Sequence, residues 1–546
     1  MREGLLIWDA IDKQVHRSFI FSLLETADGP AMADIAGLTG HMGTYGCRQF
    51  CSVKGHRKPN GNHYYPALLK PTDYNVDGCN HDDVNGRHLP TVDVHEYSKW
   101  LHNLLSSDSA TQYQTRRRDT SIVAPSLFSG LPSTRILPLP RCFCSDSMHL
   151  YALNLPDLLI SLWRGTMQCD PDDNKSTWDW AVLKGKVWDE HGAAVANAAK
   201  YLPGCFNKPP GNPVEKMNSG YKAQEYLTYL YVLGPALLCG VLPQKHWIHF
   251  CKLVCGIRPI WEREISHASL LEAHQHFCEF EEEFEQDYYQ QIISASFYLT
   301  KPACSSPCYP GNYLCGSQRI SQPVDDGAHH RESGRGNQAA FQPVLIPTLE
   351  PEKGLPQGAE DLGNGYVLLC TRDEYHQTIN GPYGEAIRDF LAEAEGIPAA
   401  EGWMPSVARW ARLRLPNGQI VRSVWKDSKM ARLRIARNIK YKAEDRSILY
   451  GEVQFFFQAE VKGVDRTFAL LSVYSPPDAA LLEKSFKTVA ECSYFGEDNL
   501  QVIEVTQIRA GIGMIPIGEH GWYFVAEKLG LDIFIMGGEE EDIHTE

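Results

Sequence analysis

Asp28 is the first residue of the chain whose setting suggests chemistry. It ends the apolar run SFIFSLLETA (Ser18–Ala27) and opens Asp28-Gly29-Pro30, inside the stretch Thr26–Cys51, TADGPAMADIAGLTGHMGTYGCRQFC. Such a run, stopped by Asp-Gly-Pro, predicts a buried strand that presents a carboxylate at the sheet edge, with a helix starting at Pro30. A carboxylate fixed there suits metal-dependent phosphoryl chemistry. The same pattern also serves as a plain turn. Cys47 and Cys51 follow as a Cys-x3-Cys pair, with His56, His63, Cys79, His81, Cys142, Cys144 and His149 as residues that could complete a zinc site. Two buried free thiols are the plainer reading.

A second set of residues carries charge. Arg409, Arg412, Arg414, Arg422, Lys426, Lys429, Arg432, Arg434, Arg437, Lys440 and Lys442 fall close together with few acids, and Arg116-Arg117-Arg118 forms a shorter run. The longer patch suits a nucleic-acid backbone or a solvated face. The net charge of −15 excludes a chain that coats nucleic acid with its whole surface.

The elements that must position these residues divide the chain of 546. Residues 1–40 read as helix, strand, helix, and residues 41–145 as a loop-rich Cys/His insertion. Residues 146–293 are helical, with Asn212-Pro213 and Ser266 as helix starts. The Glu-rich run Glu279–Glu285 reads as the wet face of an amphipathic helix. Residues 294–348 lose all periodicity and read as a linker. A mixed segment, 349–448, carries the basic patch. Residues 449–535 read as a small antiparallel β-barrel, SH3-like or BAH-like, whose first hairpin turns at Lys462-Gly463. Residues 536–546 form an acidic tail. The sixteen cysteines come without a signal peptide, so the chain reads as nuclear or cytoplasmic, not secreted. The apolar run Tyr226–Leu242 is broken by Gly234-Pro235 and reads as a buried helix, so no membrane partner is expected.

The order Asp28-Gly-Pro, then Cys47–Cys51, then KGHRKPNGNHYYPALLKP, then SDSMHLYALNLPDLLISLWRGT resembles the Plavaka-type transposases of basidiomycete fungi, CACTA-related cut-and-paste enzymes. The resemblance covers roughly residues 4–293 and 349–532. It implies an RNase H-like core in which two Asp and one Glu hold two Mg2+ or Mn2+ ions for DNA cleavage and strand transfer. Asp28 matches the second carboxylate. Asp146 and His149 match an Asp-x-Met-His element that supports the site, and Cys47 and Cys51 match paired cysteines that look like zinc ligands.

The resemblance also implies damage. The chain starts after the strand that would carry the first Asp. PVDDGAHHRESGRGNQAAFQP (Pro323–Pro343) matches the family's string read in a shifted frame, so the catalytic Glu falls across Gly327 and Ala328, with Asp325 and Asp326 nearby. The fold expected is therefore α/β with a partial RNase H-like core and a long insertion, an all-α region, and a C-terminal barrel. The function expected is that of a degenerate transposase acting on DNA ends as an assembly and no longer cutting. The alternatives are a non-catalytic DNA- or chromatin-binding protein, a mis-called reading frame that hides an intact enzyme, or a pseudogene product that barely folds because the shifted segment deprives the core of its last helix.

Overall fold

The structure, a computed structural model, describes residues 3–41, 43–47, 53–57, 64–65, 68–70, 82–90, 93–144, 146–167, 174–217, 220–262, 264–289, 354–427, 434–518 and 521–530. Cys51, His63, Cys79, His81, Lys429, Arg432, the linker 294–348 with its shifted segment, and the acidic tail lie outside the described residues.

The N-terminal reading of helix, strand, helix is corrected. Residues 5–18 form an antiparallel hairpin, β1 (Leu5–Asp9) and β2 (Gln14–Ser18). Asp9 Oδ1 accepts from the Ile11 and Asp12 amides at 2.8 and 3.2 Å, and Lys13 takes a left-handed backbone conformation, so the turn closes itself. The apolar run after β2 is not a buried strand. Its strand-type pairing among the described residues is limited to two isolated parallel bridges, Ser22 to Ile136 and Glu25 to Phe143. With so little pairing, Phe21, Leu23 and Leu24 remain more than half exposed. Pro30 does open a helix, α1 (Gly29–Ala36).

Residues 41–145 are less loop-like than their composition suggests. Besides the short strands β3 (His56–Arg57) and β4 (Tyr64–Tyr65), they hold α2 (Val94–Leu105) and α3 (Ala110–Thr120), whose caps Asp93 and Ser109 accept from first-turn amides. Met32, Ala36, Leu38, Tyr97, Leu104, Ile122, Cys142 and Phe143 form one small core that joins α1 to these helices.

The helical region is as expected. It comprises α4 (Ser147–His149), α5 (Leu155–Trp163), α6 (Lys186–Ala198), α7 (Pro213–Lys216), α8 (Ala223–Tyr226), α9 (Gly234–Leu237), α10 (Gln244–Ile260) and α11 (His267–Phe284). Turns of π-helix at Leu150–Asn154 and Leu227–Leu233 join α4 to α5 and α8 to α9, and another at Glu285–Tyr289 extends α11. All pack around one aromatic-rich core that includes Trp163, Trp180, Tyr229, Phe250 and Phe277. The apolar run from Tyr226 lies in this core, and among the described residues no helix is long and apolar enough to cross a membrane.

The C-terminal barrel is the main correction. An eleven-stranded sheet draws strands from both sides of residue 448: β5 (Glu360–Gly363), β6 (Tyr366–Arg372), β9 (Arg409–Arg414), β10 (Ile420–Arg422), β11 (Asn438–Lys442), β12 (Ile448–Val461), β13 (Val464–Val473), β14 (Glu491–Ser493), β15 (Leu500–Glu504), β16 (Ile508–Ile517) and β17 (Trp522–Ala526). Apart from it, β7 (Gln377–Thr378) pairs with β8 (Ser406–Val407). One path runs β14-β17-β16-β11-β12-β9-β6-β5, while β13 and β15 extend from β12, and β10 adds to β9. The long strand β12 therefore serves β11, β9 and β13. Its pairing with β13 shifts register between Val453 and Phe455, and the sheet forks there instead of closing. Both faces of this centre are covered. Val453, Phe456, Ala469, Leu471 and Ile503 join one core, and Phe455, Phe457, Phe468, Leu470 and Val502 join another under α12 (Gly381–Glu395). Alternation along the strands thus sorts side chains between two cores, not between core and water.

Candidate functional site

Asp28 is exposed and caps α1, its Oδ1 accepting from the Ala31 amide at 2.9 Å. Asp146 caps α4 in the same way, its Oδ1 accepting from the His149 amide at 3.1 Å, while its other oxygen pairs with His149 Nδ1. The segments that precede these two residues are paired. Glu25 bridges Phe143 in parallel, held by Glu25 N to Cys142 O at 2.7 Å and Cys144 N to Glu25 O at 2.9 Å. Three residues further along each segment stand Asp28 and Asp146. Asp28 then caps α1 and Asp146 caps α4. The motif order in the sequence did not foretell this pairing, because residues 29–142 intervene.

The donor set does not fit a two-metal centre. Among the described residues, the groups of three or more ligand-type atoms clustered closely enough for an ion are Asp9-Asp12-His16 and Cys255-Glu272-His276, and neither includes Asp28 or Asp146. Both oxygens of Asp146 are already engaged locally.

Cys47 is buried beside Val53 and Leu68, and His56 is fully buried on β3. The Gly55 amide donates to Thr44 O at 2.8 Å, which brings the start and end of this Cys/His loop together. Cys142 and Cys144 lie elsewhere, on the segment bridged to Glu25. Burial pushes the Cys142 thiol up to about 12, which marks it as a packing residue, and Cys144 Sγ donates to Glu25 O at 3.2 Å.

The basic patch is mostly engaged inside the fold. Arg409 Nε pairs with Asp373 at 2.8 Å and its guanidinium lies 4.6 Å from the Trp425 ring centre. Arg412 donates to the Cys370 carbonyl. Arg434 reaches the Gly204 and Asn207 carbonyls at 3.0 Å, Arg437 pairs with Glu452 at 2.6 Å, and Lys440 with Glu527 at 2.8 Å. Arg414 and Lys442 sit half-buried at the ends of β9 and β11. The reason is topological: β9 and β11 are inner strands, so their cations meet protein on both flanks.

The Glu-rich run on α11 departs from the expected wet face. Glu281 and Glu285, one turn apart, are 7% and 2% exposed. Glu285 accepts from the Leu68 and Leu69 amides at 2.7 and 2.6 Å and so fastens the insertion to the helical core. Burial pushes Glu285 up to about 7, against the pull of those two amides. Burial and the neighbouring Glu285 together push Glu281 far above the usual carboxylate range.

No protein-family profile, no curated protein and no solved structure matches this chain. Fold and geometry define a mixed protein, with helices in the N-terminal half and a forked antiparallel sheet in the C-terminal half.

Proposed function

We propose that this chain is a degenerate transposase of the Plavaka type, a nuclear protein that binds DNA without cutting it, built on part of an RNase H-like core. The observation that supports the reading is the parallel bridge Glu25–Phe143, with Asp28 and Asp146 each three residues beyond it and each capping a helix. Carboxylates that follow neighbouring parallel segments are the kind of pair that metal-dependent phosphoryl chemistry would use. The donor set argues for loss of that chemistry: among the described residues neither Asp28 nor Asp146 joins a cluster of ligand atoms, and Asp146 is already tied to His149, so a pair of Mg2+ or Mn2+ ions would be poorly held. The role that remains is binding. Since much of the Arg409–Lys442 patch is engaged internally, the exposed Arg118 on α3 and the half-exposed Arg116 and Arg117 are the better candidates for phosphate contacts.

The test is a pair of assays on the full chain. Anisotropy of labelled duplex DNA should show binding that falls steeply with salt and weakens in an Arg117→Ala/Arg118→Ala variant. Supercoiled plasmid incubated with Mg2+ or Mn2+ should stay intact. Nicking that vanishes in Asp28→Asn or Asp146→Asn would restore the enzyme. Absence of DNA binding at low salt would remove the DNA role altogether.

A further inference from the structure

The helices α10 and α11 form an antiparallel hairpin at the centre of the helical region, joined by the short connection 261–266. They approach closely where Gly256, toward the end of α10, faces Phe277 of α11. A Cβ placed on Gly256 would lie 2.8 Å from a ring carbon of Phe277, so the side chains on either side of this point are pressed together. Beside Gly256 on α10 stands Cys255. Beside Phe277 on α11 stands His276, and one turn before it on the same face stands Glu272. One ligand atom from each of these three lies within 4.8 Å of the other two.

His276 is nine-tenths buried, and its Nδ1 has no hydrogen-bond partner among the described residues. An imidazole nitrogen hidden from water with nothing to bond is costly in a protein interior. Its ring is held in place by an edge-on contact with Phe486, centres 5.2 Å apart. Cys255 is half-buried and free of any disulfide, and Glu272 is exposed, so the cluster opens to solvent on one side. Phe486 and Lys487 both take left-handed backbone conformations as their segment turns across this face.

We propose that Cys255, Glu272 and His276 form a zinc site that pins α10 to α11 where the C-terminal half seats on the helical core. Thiolate, imidazole and carboxylate on a common focus are a borderline-soft donor set that suits Zn2+ and its spectroscopic substitute Co2+, and does not suit Mg2+ or Ca2+. In a tetrahedral zinc site the donor atoms stand about 3.5 Å apart, so small rotamer adjustments from the present separations close it. Three protein donors with one side open leave the fourth position to water. Cys251, one turn before Cys255, is fully buried and lies outside the set. The site is separate from the Cys47–Cys51 pair and owes nothing to the reading of the chain as a transposase.

The experiment uses the full chain stripped with a chelator and titrated with Co2+. The expected result is a thiolate-to-cobalt charge-transfer band that saturates at one equivalent. Added Zn2+ should quench the band and raise the melting temperature by several degrees. Cys255→Ser should abolish the band, and His276→Ala or Glu272→Ala should weaken cobalt binding at least tenfold, while Cys47→Ser leaves it in place. Circular dichroism and melting of each metal-free variant, compared with the metal-free parent, separate lost ligation from lost folding. Should a variant fail to fold, Cys255→Ala provides the second measurement. A band that persists in Cys255→Ser and disappears in Cys47→Ser would assign the ion to the insertion and overturn the proposal. Absence of both band and thermal shift in the parent would overturn it as well.

Discussion

At the scale of single residues, Glu285 makes the sharpest claim. Its ordinary value is 4.5 and burial raises it to about 7 in the folded state, so the folded chain holds the proton more tightly than the unfolded one. The contribution to stability is therefore complete below pH 4.5 and is lost as pH rises through about 7. The difference is on the order of 3 kcal/mol. Replacing it by Gln removes the titration but keeps one carbonyl to accept from Leu68 or Leu69. Measured by urea unfolding at pH 5 and pH 8, the parent should lose stability relative to Glu285→Gln as pH rises. An equal difference at both values would show that the carboxyl does not titrate in this window. Comparison with the variant is needed because burial pulls His191 and His249 down to about 4, and these histidines favour the opposite trend. Residue type alone could not reveal any of this. The run FCEFEEEFEQDYY places Glu281 and Glu285 one turn apart, on the same face as Phe277 and Phe284 in part, and only the docking of residues 68–69 decides that this face is covered.

At the scale of elements, local signals were legible wherever one turn of chain decides the outcome. Asn212 accepts from the Val214 amide at 3.0 Å and Ser266 from the Ser269 amide at 3.0 Å, as their positions before apolar helices suggested. Lys462-Gly463 turns the β12–β13 hairpin with positive φ at both residues, the geometry that a two-residue turn requires. What failed depended on distant partners. The apolar run before Asp28 has strand composition, but its described strand-type pairing is two isolated bridges to residues more than a hundred positions away. The element that does position Asp28 is α1, and α1 is held at its far end. Gly37 takes φ +71° there, and an added Cβ would lie 2.1 Å from the Ala124 carbonyl oxygen, while the Val123 amide donates to Gly37 O at 2.7 Å. Gly37→Ala meets both a left-handed backbone and a rigid neighbour, so a loss of at least about 2 kcal/mol is expected, read as a lower urea midpoint with unchanged slope. A substitution that leaves the midpoint in place would mean that α1 is not fastened at this corner.

For the whole molecule the question is whether the helical half and the forked sheet fold as one. Composition suggested separate units, since the chain between them loses all periodicity, and the cores confirm two kinds of packing. Yet Val489, Ile515, Phe524 and Ala526, all from the sheet half, belong to the helical core. The contact is also bonded along its edge. The Lys200 carbonyl accepts from the Ile435 amide at 2.8 Å, the Gly204 carbonyl accepts from Arg434, and Gln419 binds Gly511 on both sides while donating to Cys205 Sγ. At the centre of this seam, a Cβ on Gly513 would stand 2.9 Å from the Tyr201 carbonyl oxygen. Backbone faces backbone at that point, with no flexible side chain to yield. Gly513→Ala must therefore part β16 from the Lys200–Leu202 turn, at a cost of roughly 1–3 kcal/mol by overpacking. If the seam couples the halves, the variant melts earlier but still in one transition, with tryptophan fluorescence and far-ultraviolet dichroism coincident and calorimetric and van't Hoff enthalpies equal. Two separated transitions, with the fluorescence of the helical tryptophans unchanged, would show instead that the halves are independent. The sheet's apolar edge would then be a surface in its own right, and the role of Ile515 and Phe524 in the helical core would have to be abandoned.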